Sequence, residues 1–234
     1  MTEDTSPDAA FDTYAHGYDT ALEEGLAVSG EGKLYFARER VRWLAACLRQ
    51  LKVRPAAVMD FGCGTGTTVP LLLELPGVQT VVGVDASPKT IEIARGKPGV
   101  SRGQFLTLSE YQPRAELDLV YCNGVFHHIP VEARASALSY VCRSLRQGGL
   151  FAFWENNPWN PGTRYVMSRI PFDRDAVTLT QRRARELLKA GGFDPIRTDF
   201  LFIFPRALRW FRGLEPLLSR WPVGAQYEVL ARKP

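Results

Sequence analysis

The chain has 234 residues, 45% hydrophobic and 23% charged, which excludes a disordered or fibrous protein and fits one globular domain with additions. Its formal net charge of +4 forms no basic stripe, so nucleic acid is not an expected partner. The four cysteines, Cys47, Cys63, Cys122 and Cys142, stand far apart without a Cys/His cluster, so no metal site is read.

The first dozen residues are polar and acidic, with no apolar signal core, and no apolar run approaches the roughly 18–20 residues of a membrane span. Free thiols and a cytoplasmic location are expected. Residues 33–52 read as a helix, with Leu34, Val41, Leu44, Cys47 (or Leu48) and Leu51 at three- and four-residue steps. Pro55 breaks it, and "AAVMDF" is a short buried strand. A helix opens in "TTVPLLLEL", with Thr67 or Thr68 as its cap. "TVVGVD" (80–85) is a second strand, and Ser87-Pro88 starts the next helix.

The alternation continues. "GQFLTL" is a third strand, "LDLVYCN" (117–123) a fourth, and "VEARASALSYVCRSL" a helix that Gly148-Gly149 terminates. "LFAFWE" (150–155) is a fifth strand. Continuous apolar strands between helices predict a parallel sheet covered on both faces. "RRARELLKAGGF" is a further helix, and "IRTDFLFIF" (196–204) and "AQYEVLAR" (225–232) are strands. Between them, residues 205–222 set Trp210, Phe211 and Trp221 among arginines and leucines, read first as core packing, then as a substrate wall, with a dimer face or membrane-surface helix as alternatives.

Residues 58–66, "VMDFGCGTG", place Gly62, Gly64 and Gly66 behind Asp60 at the end of the first strand. Each glycine costs roughly 0.5–1 kcal/mol against alanine in regular structure, so three together mark a sharp turn or a close approach to a ligand. Ligands of such sheets bind beyond the C-terminal strand ends. A dinucleotide GxGxxG motif wants glycine at position 67, which is threonine, and no lysine follows for a P-loop.

The D-x-G-x-G-x-G stretch, with Asp85 ending the second strand, resembles the class I S-adenosylmethionine-dependent methyltransferases. That resemblance implies a Rossmann-like, seven-stranded, mostly parallel α/β sheet with the last strand antiparallel and helices on both faces. It implies S-adenosylmethionine as cofactor and S-adenosylhomocysteine as product. Residues 1–52 become a helical lid segment and 53–234 the core, with substrate-side insertions across 156–222.

By the same resemblance, Gly62, Cys63, Gly64 and Gly66 pass the cofactor, and Asp85, followed by Ala86, accepts both ribose hydroxyls. Asp60 orders the glycine loop or meets the cofactor's amino group. Ser109 or Glu110 bonds the adenine amine, while Cys122 and Asn123 flank the methionine part. Tyr14 and Tyr18, four apart on one helix face, reach the site from the lid, an aromatic ring there drawing the sulfonium. Lys33, Arg38 or Arg40 pairs with the cofactor carboxylate.

For catalysis, His127 and His128 are the candidate bases, since an unperturbed imidazole titrates near 6.5; a capping or packing role is the alternative for each. Glu155, Asn156, Asn157, Trp159 and Arg164, in "WENNPWNPGTRY", are the expected substrate contacts, with turn formation as their alternative. "WENNPWNP", "PFDRDA" and "GAQYEVLARKP" resemble bacterial small-molecule methyltransferases of secondary or cell-envelope metabolism. The expected activity is methyl transfer to a small organic acceptor, at oxygen before nitrogen or carbon, by a monomer or homodimer. A non-catalytic cofactor-binding partner protein is the rival reading. "CNGV" stands where base-amine methyltransferases carry an NPPY-type tetrapeptide.

Overall fold

The computed structural model describes residues 17–97, 102–173 and 176–234. Seven strands form one sheet: β1 (Ala57–Phe61), β2 (Thr80–Asp85), β3 (Gly103–Thr107), β4 (Leu117–Asn123), β5 (Leu145–Asn156), β6 (Asp194–Leu201) and β7 (Gln226–Arg232). Their order is β3-β2-β1-β4-β5-β7-β6. β7 runs antiparallel to both neighbours, and β1 to β5 pair in parallel.

Side-chain alternation sends residues to two cores. One face collects Val58, Val81, Leu119, Tyr121 and Trp154 beneath α2 (Lys33–Gln50), α3 (Val69–Leu73) and α4 (Pro88–Arg95). The other collects Met59, Val120, Cys122, Phe151 and Phe153 beneath α5 (Arg134–Ser144) and α7 (Gln181–Ala190). Both faces are therefore covered, which is why the strands read as unbroken apolar runs. Two helices lie apart from these layers, α1 (Tyr18–Leu26) and α6 (Pro161–Arg169), and they contact each other.

β2 and β4 span the predicted residues. α4 starts as expected, Ser87 Oγ accepting from the Thr90 N–H at 3.2 Å. α3 begins after Thr68, but no hydroxyl caps it. Leu34 is exposed, while Ala37, Val41, Leu44, Cys47 and Leu48 of α2 enter the core. The sequence reading groups 1–52 as one lid; α2 packs into the core through Ala37, Val41, Leu44, Cys47 and Leu48, while its first turns line the cavity described below.

Three local differences have visible causes. α5 ends at Ser144, before Gly148-Gly149, because Lys233 Nζ donates to the carbonyls of Cys142 and Leu145, each at 2.7 Å. The glycines lie inside β5, where pairing with β4 slips between Leu117 and Leu119. β6 stops at Leu201 because Phe202 takes φ 63° and the Glu215 carboxylate accepts the N–H groups of Phe202, Ile203 and Phe204 at 3.1–3.2 Å.

Candidate active site

The chain leaves β1 at Phe61 and reverses direction. Gly62, Gly64 and Gly66 hold φ of 73°, 50° and 77°, the left-handed region that side chains rarely adopt. The Gly62 and Cys63 N–H groups donate to the Val84 carbonyl at 2.7 and 3.1 Å, locking the turn to the end of β2. A Cβ at Gly62 would collide with Val125, and one at Gly66 would stand 2.6 Å from the Phe105 ring. The turn therefore needs glycine both for conformation and for space.

Asp85 finishes the clamp. Its carboxylate accepts from the Gly64 N–H at 2.8 Å, the Ser87 N–H at 3.0 Å and the Thr90 hydroxyl at 3.2 Å. The Thr90 hydroxyl also stands 2.9 Å from the Ser87 carbonyl. Ala86 follows it half-buried.

Asp60 is buried, and its Oδ2 has no hydrogen-bond partner among the described residues. Burial first, and the nearby Asp85 charge second, push its carboxyl up to about 7, while Arg40 pulls the other way. Arg40, also buried, donates to the Tyr121 hydroxyl at 2.9 Å and to Gln226 Oε1 at 2.8 Å. No carboxylate pairs with it among the described residues. Asn123 Oδ1 is a second buried acceptor without a partner. An orphaned carboxylate oxygen, an orphaned amide oxygen and a guanidinium lacking its acid, beside a bare main-chain turn, fit the ammonium and carboxylate of an amino-acid moiety.

The remaining cofactor candidates are less engaged. Cys63 is buried, its thiol bonded only to the Gly64 carbonyl at 3.6 Å. Cys122 is fully buried in the core with Met59 and Phe61 and does not line the cavity described below, and burial pushes its pKa far up. Ser109 and Glu110 are exposed beyond β3. Glu110 is committed to the Thr107 N–H at 2.7 Å and to Arg95 at 2.8 Å. Tyr14 and the side chain of Tyr18 lie outside the described residues. Arg38 is exposed, and Lys33 pairs with Asp19 at 2.6 Å. Asp19 also accepts from the Thr65 hydroxyl at 3.2 Å, which seats α1 over the glycine turn.

A cavity of about 630 Å³ opens at Arg40 and Asn123, walled by elements outside the turn. α1 and α2 contribute Leu22, Leu26, Phe36 and Arg40; α6 contributes Val166 and Met167; the chain after β6 contributes Phe202 and Phe204. Asn123, Gly124, His127, His128, Asn156 and Gln226 form its inner wall.

The histidines differ sharply. His127 is buried, with Nδ1 2.5 Å from Glu155 Oε2 and Nε2 3.6 Å from Asp173 Oδ1. Burial by itself would lower its pKa, but the Glu155 carboxylate and Asp173 outweigh that and push it up to about 10. A charged imidazolium held between two acids has no lone pair for a substrate proton, which corrects the expectation of a base there. His128 Nε2 stands 3.1 Å from the same Asp173 oxygen. Burial, which outweighs Asp173, lowers its pKa, and the neighbouring His127 charge adds to that. His128 is therefore the neutral member of the pair, and Asp173 is held below the usual carboxylate range despite its burial, by the two imidazoles beside it. The ligand atoms of His127, His128 and Asp173 lie within 4.8 Å of one another, close enough for a divalent ion.

Among the expected substrate residues, Asn156 lines the cavity, its Oδ1 accepting from Gln226 Nε2 at 2.9 Å. The others do not. Glu155 is fully buried and spent on the Phe126 N–H (2.8 Å) and His127. Asn157 braces the loop by donating to the carbonyls of Pro222 and Gly224 at 3.1 and 2.8 Å. Trp159 and Arg164 point outward. Sequence reasoning missed Asp173, Phe172, Phe202 and Gln226, which no local spacing connects to the histidines.

Residues 58–149 match a family model described as a methyltransferase domain. The chain is 30% identical over 220 residues, 85% of its length and 84% of the relative's, to a trans-aconitate 2-methyltransferase of Methylobacterium nodulans. Its fold matches a Thermotoga maritima protein described as a possible histamine N-methyltransferase, with TM-score 0.66, 20% identity and coverage of 98% and 100%. It also matches the Burkholderia thailandensis 1,6-didemethyltoxoflavin-N1-methyltransferase with bound 1,6-didemethyltoxoflavin and S-adenosylhomocysteine, with TM-score 0.61, 21% identity and coverage of 98% and 91%.

Proposed function

The chain belongs to the class I S-adenosylmethionine-dependent methyltransferases, and from that premise we propose that it methylates a hydroxyl of a largely apolar small molecule, with His128 as base and Asp173 as its orienting partner. The observation that carries this reading is the pairing of His128 with Asp173 on the wall of a cavity dominated by aliphatic and aromatic side chains.

The cofactor supplies an electrophilic methyl group on a sulfonium. The turn at Gly62–Gly66 and Asp85 would hold its nucleoside, Asp60 and Asn123 would receive its ammonium, and Arg40 would take its carboxylate. His128, held by Asp173 at 3.1 Å, would take the proton from the acceptor hydroxyl. The apolar walls exclude water and orient the acceptor, a contribution worth up to about 7–11 kcal/mol in favourable reactions.

A second reading has one specific support, the relative named for trans-aconitate, and would make the acceptor a carboxylate that needs no base. Against it, the cations of the cavity are engaged: Lys33 by Asp19, Arg212 by Glu31 at 3.0 Å, and Arg40 reserved for the cofactor. Turnover of methyl-labelled S-adenosylmethionine against apolar phenols and alcohols, with trans-aconitate alongside, separates the two. Labelling of the hydroxylated compounds is expected; turnover of trans-aconitate alone overturns the hydroxyl reading.

A further inference from the structure

The rim of the cavity carries large apolar side chains on the outside. Trp210 is 69% exposed, Leu217 79%, Trp221 65% and, on the facing arm, Trp159 56%. Residues 205–222 were expected first as core; instead, the chain from Arg206 to Leu218 buries no side chain. Two contacts tie these segments to the elements that line the cavity. Asn160 Nδ2 donates to the Val223 carbonyl at 2.8 Å, joining the Trp159 arm to the Trp221 arm. Arg206 donates to the Gly30 carbonyl at 3.1 Å, bringing the same segment against the chain that follows α1. Phe204 and Arg212, in the middle of it, line the cavity itself.

The charge of this rim has one sign. Residues 206–221 contain four arginines and one acid, Glu215. Glu215 is turned inward onto three backbone N–H groups, and Glu31 is neutralised by Arg212. Arg206 and Arg209 have no carboxylate partner among the described residues. The Arg209 guanidinium lies 5.1 Å from the Trp210 ring, and that of Arg169 lies 4.9 Å from the Tyr165 ring, at the same opening. Exposed tryptophan and leucine with interleaved arginine match the boundary of an anionic bilayer, where aromatic rings sit at headgroup depth and cations meet phosphate.

We propose that this rim docks the enzyme on an anionic phospholipid surface, with Trp210, Leu217 and Trp221 entering the headgroup region and the cavity facing the bilayer. A second copy of the chain fits the same surface less well. A two-fold contact would set these arginines against their own copies. It would also cap the opening through which an acceptor enters. Among the described residues no helix is long and apolar enough to cross a membrane, so the attachment is to the surface. The inference stands on exposure and charge and does not depend on which atom is methylated.

Flotation of the full chain with vesicles of phosphatidylcholine, alone or mixed with phosphatidylglycerol, tests it. Binding is expected to the mixed vesicles, falling with salt, and absent from phosphatidylcholine alone. The triple variant Trp210→Ser, Leu217→Ser, Trp221→Ser is expected to lose at least about tenfold in vesicle affinity. Its S-adenosylhomocysteine affinity, unchanged by calorimetry, shows that it is folded. Equal flotation of variant and parent overturns the proposal. So does absence of vesicle binding, including the case where sedimentation shows a dimer that the same substitutions dissolve.

Discussion

In the part of the site assigned to the cofactor, most contacts fall between Asp60 and Thr90, and many are main-chain: the glycine turn, the Val84 carbonyl, and the N–H groups gathered by Asp85. At the acceptor end the walls come from α1, the start of α2, the chain after β4, α6 with Phe172 and Asp173, and the chain beyond β6. The first is a local structure that one strand, one turn and one helix can build. The second exists only once distant segments meet. A family can therefore keep the first while the second changes with the acceptor, and substitutions at the two ends should fail in different ways.

The largest effect belongs to the turn. Gly62→Val adds a side chain where φ is 73° and Val125 occupies the space. Backbone strain alone costs of order 1–3 kcal/mol. Calorimetry should find no cofactor binding, and thermal melts should show a midpoint several degrees lower. Binding at parental strength would break the contrast between the two ends.

At the acceptor end, His128→Gln should leave cofactor affinity within about twofold and lower kcat by about 10²–10⁴. Because its pKa is depressed, the parent's rate should rise with pH through a value below the ordinary 6.5, and the variant should lose that limb. A variant with parental kcat would reassign the base.

Asp60 sharpens the comparison through pH. In the cofactor-free protein its carboxyl is pushed up to about 7, so it is partly protonated at neutrality. An incoming ammonium needs the anion, so cofactor affinity should rise as pH rises towards about 7 and then level. Asp60→Asn should flatten that slope and weaken binding about tenfold to a hundredfold, the range of one charge-assisted hydrogen bond of about 1.5–3 kcal/mol. Titrations at several pH values check both.

The last effect is one of stability, and leaves both ends of the site in place. His127 has a folded pKa raised above its unfolded value, so its contribution is complete below about 6.5 and fades as pH rises through about 10. Denaturant melts from neutral to alkaline pH should show the parent losing its advantage over His127→Gln along that range. A constant difference would mean that the Glu155–His127 pair is not held as an ion pair.

The cofactor half was legible because its signals are local. Glycines two apart need positive φ wherever they occur, and Ser87-Pro88 opens a helix by itself; β2 and β4 follow from continuous apolar runs. Where the reading failed, the cause lay elsewhere in the chain. Lys233 ends α5, which sequence assigned to Gly148-Gly149. Glu215 ends β6. Glu155 looked like a substrate contact because it closes β5, yet its carboxylate faces His127 and the Phe126 N–H. Asp173 carries no local mark: only the fold brings an acid 45 positions beyond His128 to its ring.

On this reading the glycine turn and Asp85 together grip the nucleoside of S-adenosylmethionine. Isothermal titration of S-adenosylhomocysteine into the parent and into Asp85→Ala tests it most directly. One site per chain, weakened at least about tenfold by the substitution, is the predicted result. Equal affinity in the two proteins would contradict the account.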